Sequence, residues 1–163
     1  MSELQRSSPA VLVSPAFGVP ANRRSAVDLH TCLVVSTSAR RAQLWVRAAH
    51  EEQWTTIVCT TADDANRQSV RNRIDLALID LQTASKEFEV PLRGLVEQLA
   101  TRKGTLLAVC GKPEDALGEV WSRQLGVWMY LPGVDSQSDI ALLCSEARKI
   151  LKKLSEHAAY SIS

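Results

Sequence analysis

Apolar residues follow two alternating rhythms along this chain. Five short, nearly continuous runs, at residues 31–35, 55–59, 76–81, 105–110 and 127–131, predict strands covered on both faces. The stretches between them carry apolar residues at helical spacing. Residues 39–52 predict a helix after Ser36-Thr37-Ser38, with Ala42, Trp45 and Ala49 on one side and Leu44 and Ala48 beside them. Thr61, with Asp64 three residues on, opens a second helix over 62–72. After a polar loop over 82–90, Pro91 suits the first turn of a third helix. Leu92, Leu95, Val96 and Leu99 form its stripe, and Gly104 ends it. Gly111-Lys112-Pro113 turns the chain into a fourth helix with apolar positions Ala116, Leu117, Val120, Trp121 and Leu125, closed by Gly126. Pro132-Gly133 stops the fifth strand. The last helix has the clearest period, Ile140, Leu143, Cys144, Ala147, Ile150, Leu151 and Leu154, with Ser136 or Ser138 as its cap.

Five short apolar strands alternating with five helices, joined by long crossovers, predict an α/β fold. The expected form is three-layered and doubly wound, a five-stranded parallel sheet of flavodoxin-like order 2-1-3-4-5. Residues 29–156 form the domain in this reading. Residues 1–28 are rich in Ser, Pro and Ala without a period and predict a disordered tail, read as an inert extension, with a short docking peptide at Val11-Leu12-Val13 and Phe17 as the alternative. Residues 157–163 predict a short C-terminal tail.

Composition changes this picture little. With 163 residues, 45% of them hydrophobic and 23% charged, the chain can bury a substantial core. A net charge of +1 gives no reason to expect nucleic acid or an anionic membrane. The four cysteines, Cys32, Cys59, Cys110 and Cys144, show no Cys-x-x-Cys pair, so they predict buried free thiols in a reducing, cytoplasmic setting and no metal site. No apolar run approaches a membrane span, and His30, His50 and His157 are scattered.

The run Asp75-Leu76-Ala77-Leu78-Ile79-Asp80-Leu81 holds the candidate chemistry, because open α/β sheets place their sites at the C-terminal edge. It resembles the third strand of the response-regulator receiver (CheY-like) domain, with Asp80 at the position of the phosphate-accepting aspartate. Leu33-Val34-Val35 resembles the first strand of that family. Gly126, Tyr130 and Leu131 resemble the entry to its fifth strand, with Tyr130 at the aromatic switch position. The resemblance spans about residues 31–154.

That resemblance implies a Mg²⁺-assisted transfer of phosphate to Asp80, and the pocket departs from what such a transfer needs. The family's two acidic residues after strand one are here Ser36 and Thr37. Its hydroxyl at the end of strand four is Cys110, and its lysine after strand five is replaced at Pro132-Gly133. The chain thus reads as a degenerate, stand-alone receiver-like domain that is not an enzyme and has no cofactor. It acts by binding a protein partner, such as a histidine kinase or another signalling protein, with Asp80 hydrogen-bonded to Ser36, Thr37 or nearby backbone. Trp121, Trp128 and Tyr130 are the interface candidates, and a homodimer through helix four, strand five and helix five is one form of that contact. The alternatives are a receiver still phosphorylated on Asp80 with Mg²⁺, and a flavin or nucleotide binder. The latter would use Ser36-Thr37-Ser38 as a phosphate cradle and Trp128 and Tyr130 as flanking rings.

Overall fold

In the computed structural model, which describes residues 30–162, the central strand β3 (Leu76–Asp80) is buried at every position. Side-chain surroundings are described for residues 30–158, and the predicted tail over 1–28 lies outside the described residues. β3 lies between β1 (His30–Val35) and β4 (Leu106–Gly111), with β2 (Trp54–Cys59) and β5 (Met129–Pro132) at the edges. All four pairings are parallel and the order is β2-β1-β3-β4-β5, as the alternation predicted. A sheet of this kind must be covered on both sides, which is why its strands are apolar throughout.

Helices α1 (Ala39–Glu51) and α5 (Gln137–Ile162) cover one side. Ala42, Trp45, Ala48 and Ala49 meet Ile140, Leu143, Cys144 and Ala147 there, over Cys32, Val34 and Leu78. Helices α2 (Ala62–Arg71), α3 (Lys86–Ala100) and α4 (Ala116–Leu125) cover the other. Leu92, Leu95, Val96 and Leu99 of α3 supply most of that layer, against Leu33, Ala77, Ile79 and Val109. Each fully buried leucine contributes on the order of 2 kcal/mol. The predicted caps form: the Thr61 hydroxyl accepts from Asp64 N–H at 3.1 Å, and Ser136 accepts from Asp139 N–H at 3.1 Å. Gly126 closes α4 at φ +84°, a left-handed conformation that suits glycine.

Three expectations need correction. The loop expected over 82–90 is shorter, because α3 starts at Lys86 after Ser85, five residues before Pro91. Pro91 has no N–H for the Glu87 carbonyl, yet both residues are exposed, so that carbonyl can turn to water. The stretch expected as a tail from 157 continues α5 to Ile162. The apolar side assigned to α4 is only partly its buried side: Trp121 and Leu125 pack against the core, and Ala116, Leu117 and Val120 do not. The helix buries Gly118 and Ser122, while Leu117 is 82% and Val120 51% exposed.

Two aspartates bracket β3. Asp75, just before it, accepts from Thr31 N–H at 2.9 Å and lies 3.1 Å from Arg73 Nε. It joins the start of β3 to β1, and Leu106 N–H donates to its carbonyl at 2.9 Å. Asp80 does the corresponding work at the other end.

Candidate functional site

β3 delivers Asp80 to the C-terminal edge of the sheet, where Asp80 is in register with Cys110. The carboxylate is fully buried. A buried charge is tolerated only when paired and hydrogen-bonded, and each oxygen here is engaged. Oδ2 accepts from the Ser36 hydroxyl at 2.8 Å, the Thr83 hydroxyl at 2.7 Å and Arg41 Nε at 3.0 Å. Oδ1 accepts from the N–H groups of Gln82 at 2.9 Å and Thr83 at 3.4 Å.

Arg41 organises this edge. It sits in the first turn of α1, whose N-cap Ser38 accepts from the Arg41 N–H at 3.2 Å. Its guanidinium reaches Asp80 through Nε, Gln82 Oε1 at 3.0 Å and Asp135 Oδ1 at 3.3 Å. Its ring-facing side lies 5.3 Å from the centre of Trp45. One planar fork therefore joins β1–α1, the segment after β3 and the segment after β5. The Arg41 side chain is 13% exposed and Asp135 80% exposed, so the pair with Asp80 is the dry one.

The residues singled out from sequence are distributed as follows. Ser36 is buried against Asp80, as expected of a hydroxyl replacing an acid. Thr37 is not among the donors to Asp80 in the described residues. Cys110 is buried, and burial pushes its thiol far above the ordinary range, with the nearby Asp80 charge adding to the effect. Gly133 has φ +67° and continues the ladder by donating its N–H to the Gly111 carbonyl at 2.9 Å. Tyr130 and Trp121 lie in the α2–α3–α4 layer, whereas Trp128 packs in the α1–α5 layer, so the three aromatics do not form one surface. Trp121 is stacked by Arg93 at 4.4 Å, and Arg93 also holds Glu89 at 3.0 Å. The Tyr130 hydroxyl is buried, has no partner among the described residues and stands where a side chain on Gly111 would be. Burial, then Asp115 and Glu119, raise its pKa.

The receiver fold implies Mg²⁺ at this edge, and the residues present do not fit it. Mg²⁺ takes hard oxygen ligands, commonly one or two carboxylates, and keeps several waters. Asp80 Oδ2 already faces a guanidinium, whose charge repels a dication, and Asp135 is held by the same guanidinium. Among the described residues, no three His, Cys, Asp or Glu side chains are grouped to hold a metal ion. The phosphate cradle expected for a flavin or nucleotide also has other work: Ser36 bonds Asp80 and Ser38 caps α1.

Sequence reading missed Arg41, Gln82, Thr83 and Asp135. The available signal was the Arg40-Arg41 pair directly after a helix cap. Nothing in one dimension separates the exposed Arg40 from Arg41, which turns inward.

No family model and no curated protein matches the chain. Solved structures do. A CheY-like response regulator receiver domain protein from Methanospirillum hungatei JF-1 superposes with a TM-score of 0.67 at 17% identity, over 77% of this chain and 98% of that one. A receiver domain protein from Clostridium thermocellum gives 0.62 at 13% identity, over 77% and 98%. A streptococcal protein, from a family described as redox sensors evolved from two-component response regulators, gives 0.65 at 14% identity, over 78% and 55%. At these identities the likeness is one of fold, and the fold is that of receiver domains. Among the described residues, no helix is long and apolar enough to cross a membrane.

Proposed function

We propose that this chain is a receiver-fold signalling domain of the cytoplasm that acts through contact with a protein partner, without Mg²⁺-assisted phosphorylation of Asp80. The observation that carries the reading is the closure of Asp80 by Arg41. Phosphoryl transfer needs a carboxylate oxygen free to attack phosphorus in line, with cations on the equatorial oxygens. Oδ2 is held by three donors at 2.7 to 3.0 Å, and Oδ1 by two backbone N–H groups. Attack would require Arg41 and its neighbours to leave a buried charge uncompensated.

The outward apolar side of α4 supports a contact role. Leu117 and Val120 stand exposed beside the half-buried Trp121, the kind of apolar surface that a partner covers. In this reading the domain is not an enzyme and uses no flavin. Its partner is another signalling protein, such as a histidine kinase, or a second copy through α4, β5 and α5.

Incubation with acetyl phosphate and Mg²⁺, followed by intact-mass measurement, tests the reading. The expected result is an unchanged mass. A phosphoryl adduct that is absent from Asp80→Asn would overturn it.

A further inference from the structure

The starts of β3 and β4 lie side by side at the N-terminal edge of the sheet, the edge opposite Asp80. A groove of about 530 Å³ opens there, lined by Arg73, Ile74, Arg102, Lys103, Gly104 and Thr105. Every charged residue in that lining is a cation. Arg73 follows the end of α2, and Arg102 and Lys103 follow the end of α3. The carbonyl end of a helix favours positive charge, so two helix ends bring their cations to one groove.

The groove is held in shape. Thr105 Oγ1 donates to the Ile74 carbonyl at 2.7 Å and joins the two connections. Arg102 donates to the Ser69 carbonyl at 2.7 Å, and its second terminal nitrogen lies 3.4 Å from Ser69 Oγ, which pins the guanidinium against α2. Ile74 is buried beneath. Gly104 has no side chain, and the space where one would stand is open.

The positive charge there is poorly compensated. Arg73 Nε lies 3.1 Å from Asp75 Oδ1, but the Arg73 side chain is 86% exposed, so most of its guanidinium stays in solvent. Asp75 is buried and is also engaged by the Thr31 N–H. Among the described residues, no carboxylate pairs with Arg102 or Lys103. Lys149 on α5, by contrast, is held by Glu146 at 3.1 Å.

We infer that this groove docks an acidic segment of a protein partner, whose carboxylates supply the missing counter-charge. Arg73 offers a planar fork that suits a carboxylate, and Lys103 offers a point charge in the same groove. Nucleic acid fits less well. No aromatic side chain lines the groove to stack a base, and a net charge of +1 gives no extended field to hold a polyanion. The surface is separate from Asp80 and from the outward side of α4, so this contact stands apart from the reading given above.

Fluorescence anisotropy of the full chain with a labelled oligoglutamate peptide tests this, with a neutral Gly-Ser peptide of equal length as control. The variants are Lys103→Glu, Arg73→Gln and, on exposed α5, Lys153→Glu, which changes the net charge as much as Lys103→Glu. The expected result is saturable binding of oligoglutamate alone, with NMR amide shifts confined to residues 73–75 and 102–105. Lys103→Glu and Arg73→Gln each weaken it roughly tenfold or more, while Lys153→Glu stays within about twofold of the native chain. The urea midpoint of Lys103→Glu is unchanged, because that side chain is exposed and unpaired with any carboxylate among the described residues. Absence of oligoglutamate binding at low salt overturns the inference, and so does an equal loss in Lys153→Glu. Tighter binding of an oligothymidylate, lost in the same two variants, also overturns it and assigns the groove to nucleic acid.

Discussion

Arg41 Nε lies 3.0 Å from Asp80 Oδ2, and this contact places a side-chain cation from α1 over the end of β3. The same guanidinium reaches Gln82 and Asp135, so the aspartate pocket is cross-linked across the sheet by one residue. Sequence comparison with the receiver pattern located a missing cation after β5. The cation is present, and it comes from a different element.

Arg41→Ala leaves the Asp80 carboxylate buried without its counter-charge. We expect a loss of about 3 kcal/mol in urea unfolding, the usual cost of removing one partner of a buried pair. Arg41→Lys keeps the charge but not the fork that serves three acceptors, and should fall between the two. An unchanged midpoint for Arg41→Ala would show that the pair contributes nothing to stability.

Tyr130→Phe removes a buried hydroxyl that has no partner among the described residues. Its stability should stay within about 0.5 kcal/mol of the parent or rise, because no hydrogen bond is lost. Gly111→Ala places a methyl group against that hydroxyl and should cost about 1–3 kcal/mol. Thermal unfolding of the two variants and of the double variant, in which Tyr130→Phe recovers part of the loss, checks the contact.

Leu117→Glu and Val120→Glu should each leave the urea midpoint within about 0.5 kcal/mol of the parent, since both side chains stand in solvent. Leu95→Ala, at a site 1% exposed, should cost about 2–5 kcal/mol. If α4 is the contact surface, the glutamate variants also abolish self-association or partner capture at unchanged stability. A large loss of stability in either would return these residues to the core.

Stability should fall in alkali. Burial raises the thiols of Cys59 and Cys144 from 9.0 to about 12, with Asp64 adding to the first and Glu52 to the second. Both groups are neutral when protonated, so a raised folded pKa means that the folded state keeps protons the unfolded state has released. The unfolded state is thus favoured as pH rises from about 9 to about 12, by about 1.4 kcal/mol per pH unit for each thiol, while below that window the loss is absent. Urea midpoints measured from about pH 8 to about pH 11 should decline, and Cys144→Ala should make the slope shallower. For the same reason iodoacetamide should leave the four cysteines unmodified in the folded protein and label all of them in denaturant.

Much of this molecule is legible without coordinates. The strand and helix alternation, the caps at Thr61 and Ser136 and the closure at Gly126 all follow from local chemistry, and parallel order follows from the length of the crossovers. Pro91 misled because the Glu87 carbonyl that it leaves without a donor is exposed and can accept from water, at less cost than at a buried position. α4 misled for another reason. Its apolar residues predict one buried side, but they divide: Trp121 and Leu125 pack against the core, Leu117 and Val120 face outward, and Gly118 and Ser122 take the fully buried positions.

The sequence by itself determined a five-stranded parallel sheet with helices on both faces and an aspartate at its C-terminal edge. Periodicity within a dozen residues is enough for that, because each element must bury its own apolar side. Only the tertiary structure decided that Arg41 rather than Arg40 closes over Asp80, that Ser36 rather than Thr37 donates to it, and that Leu117 faces outward. Those outcomes depend on how far each helix is rotated against the sheet. Packing between elements distant in sequence sets that rotation, and no local pattern records it.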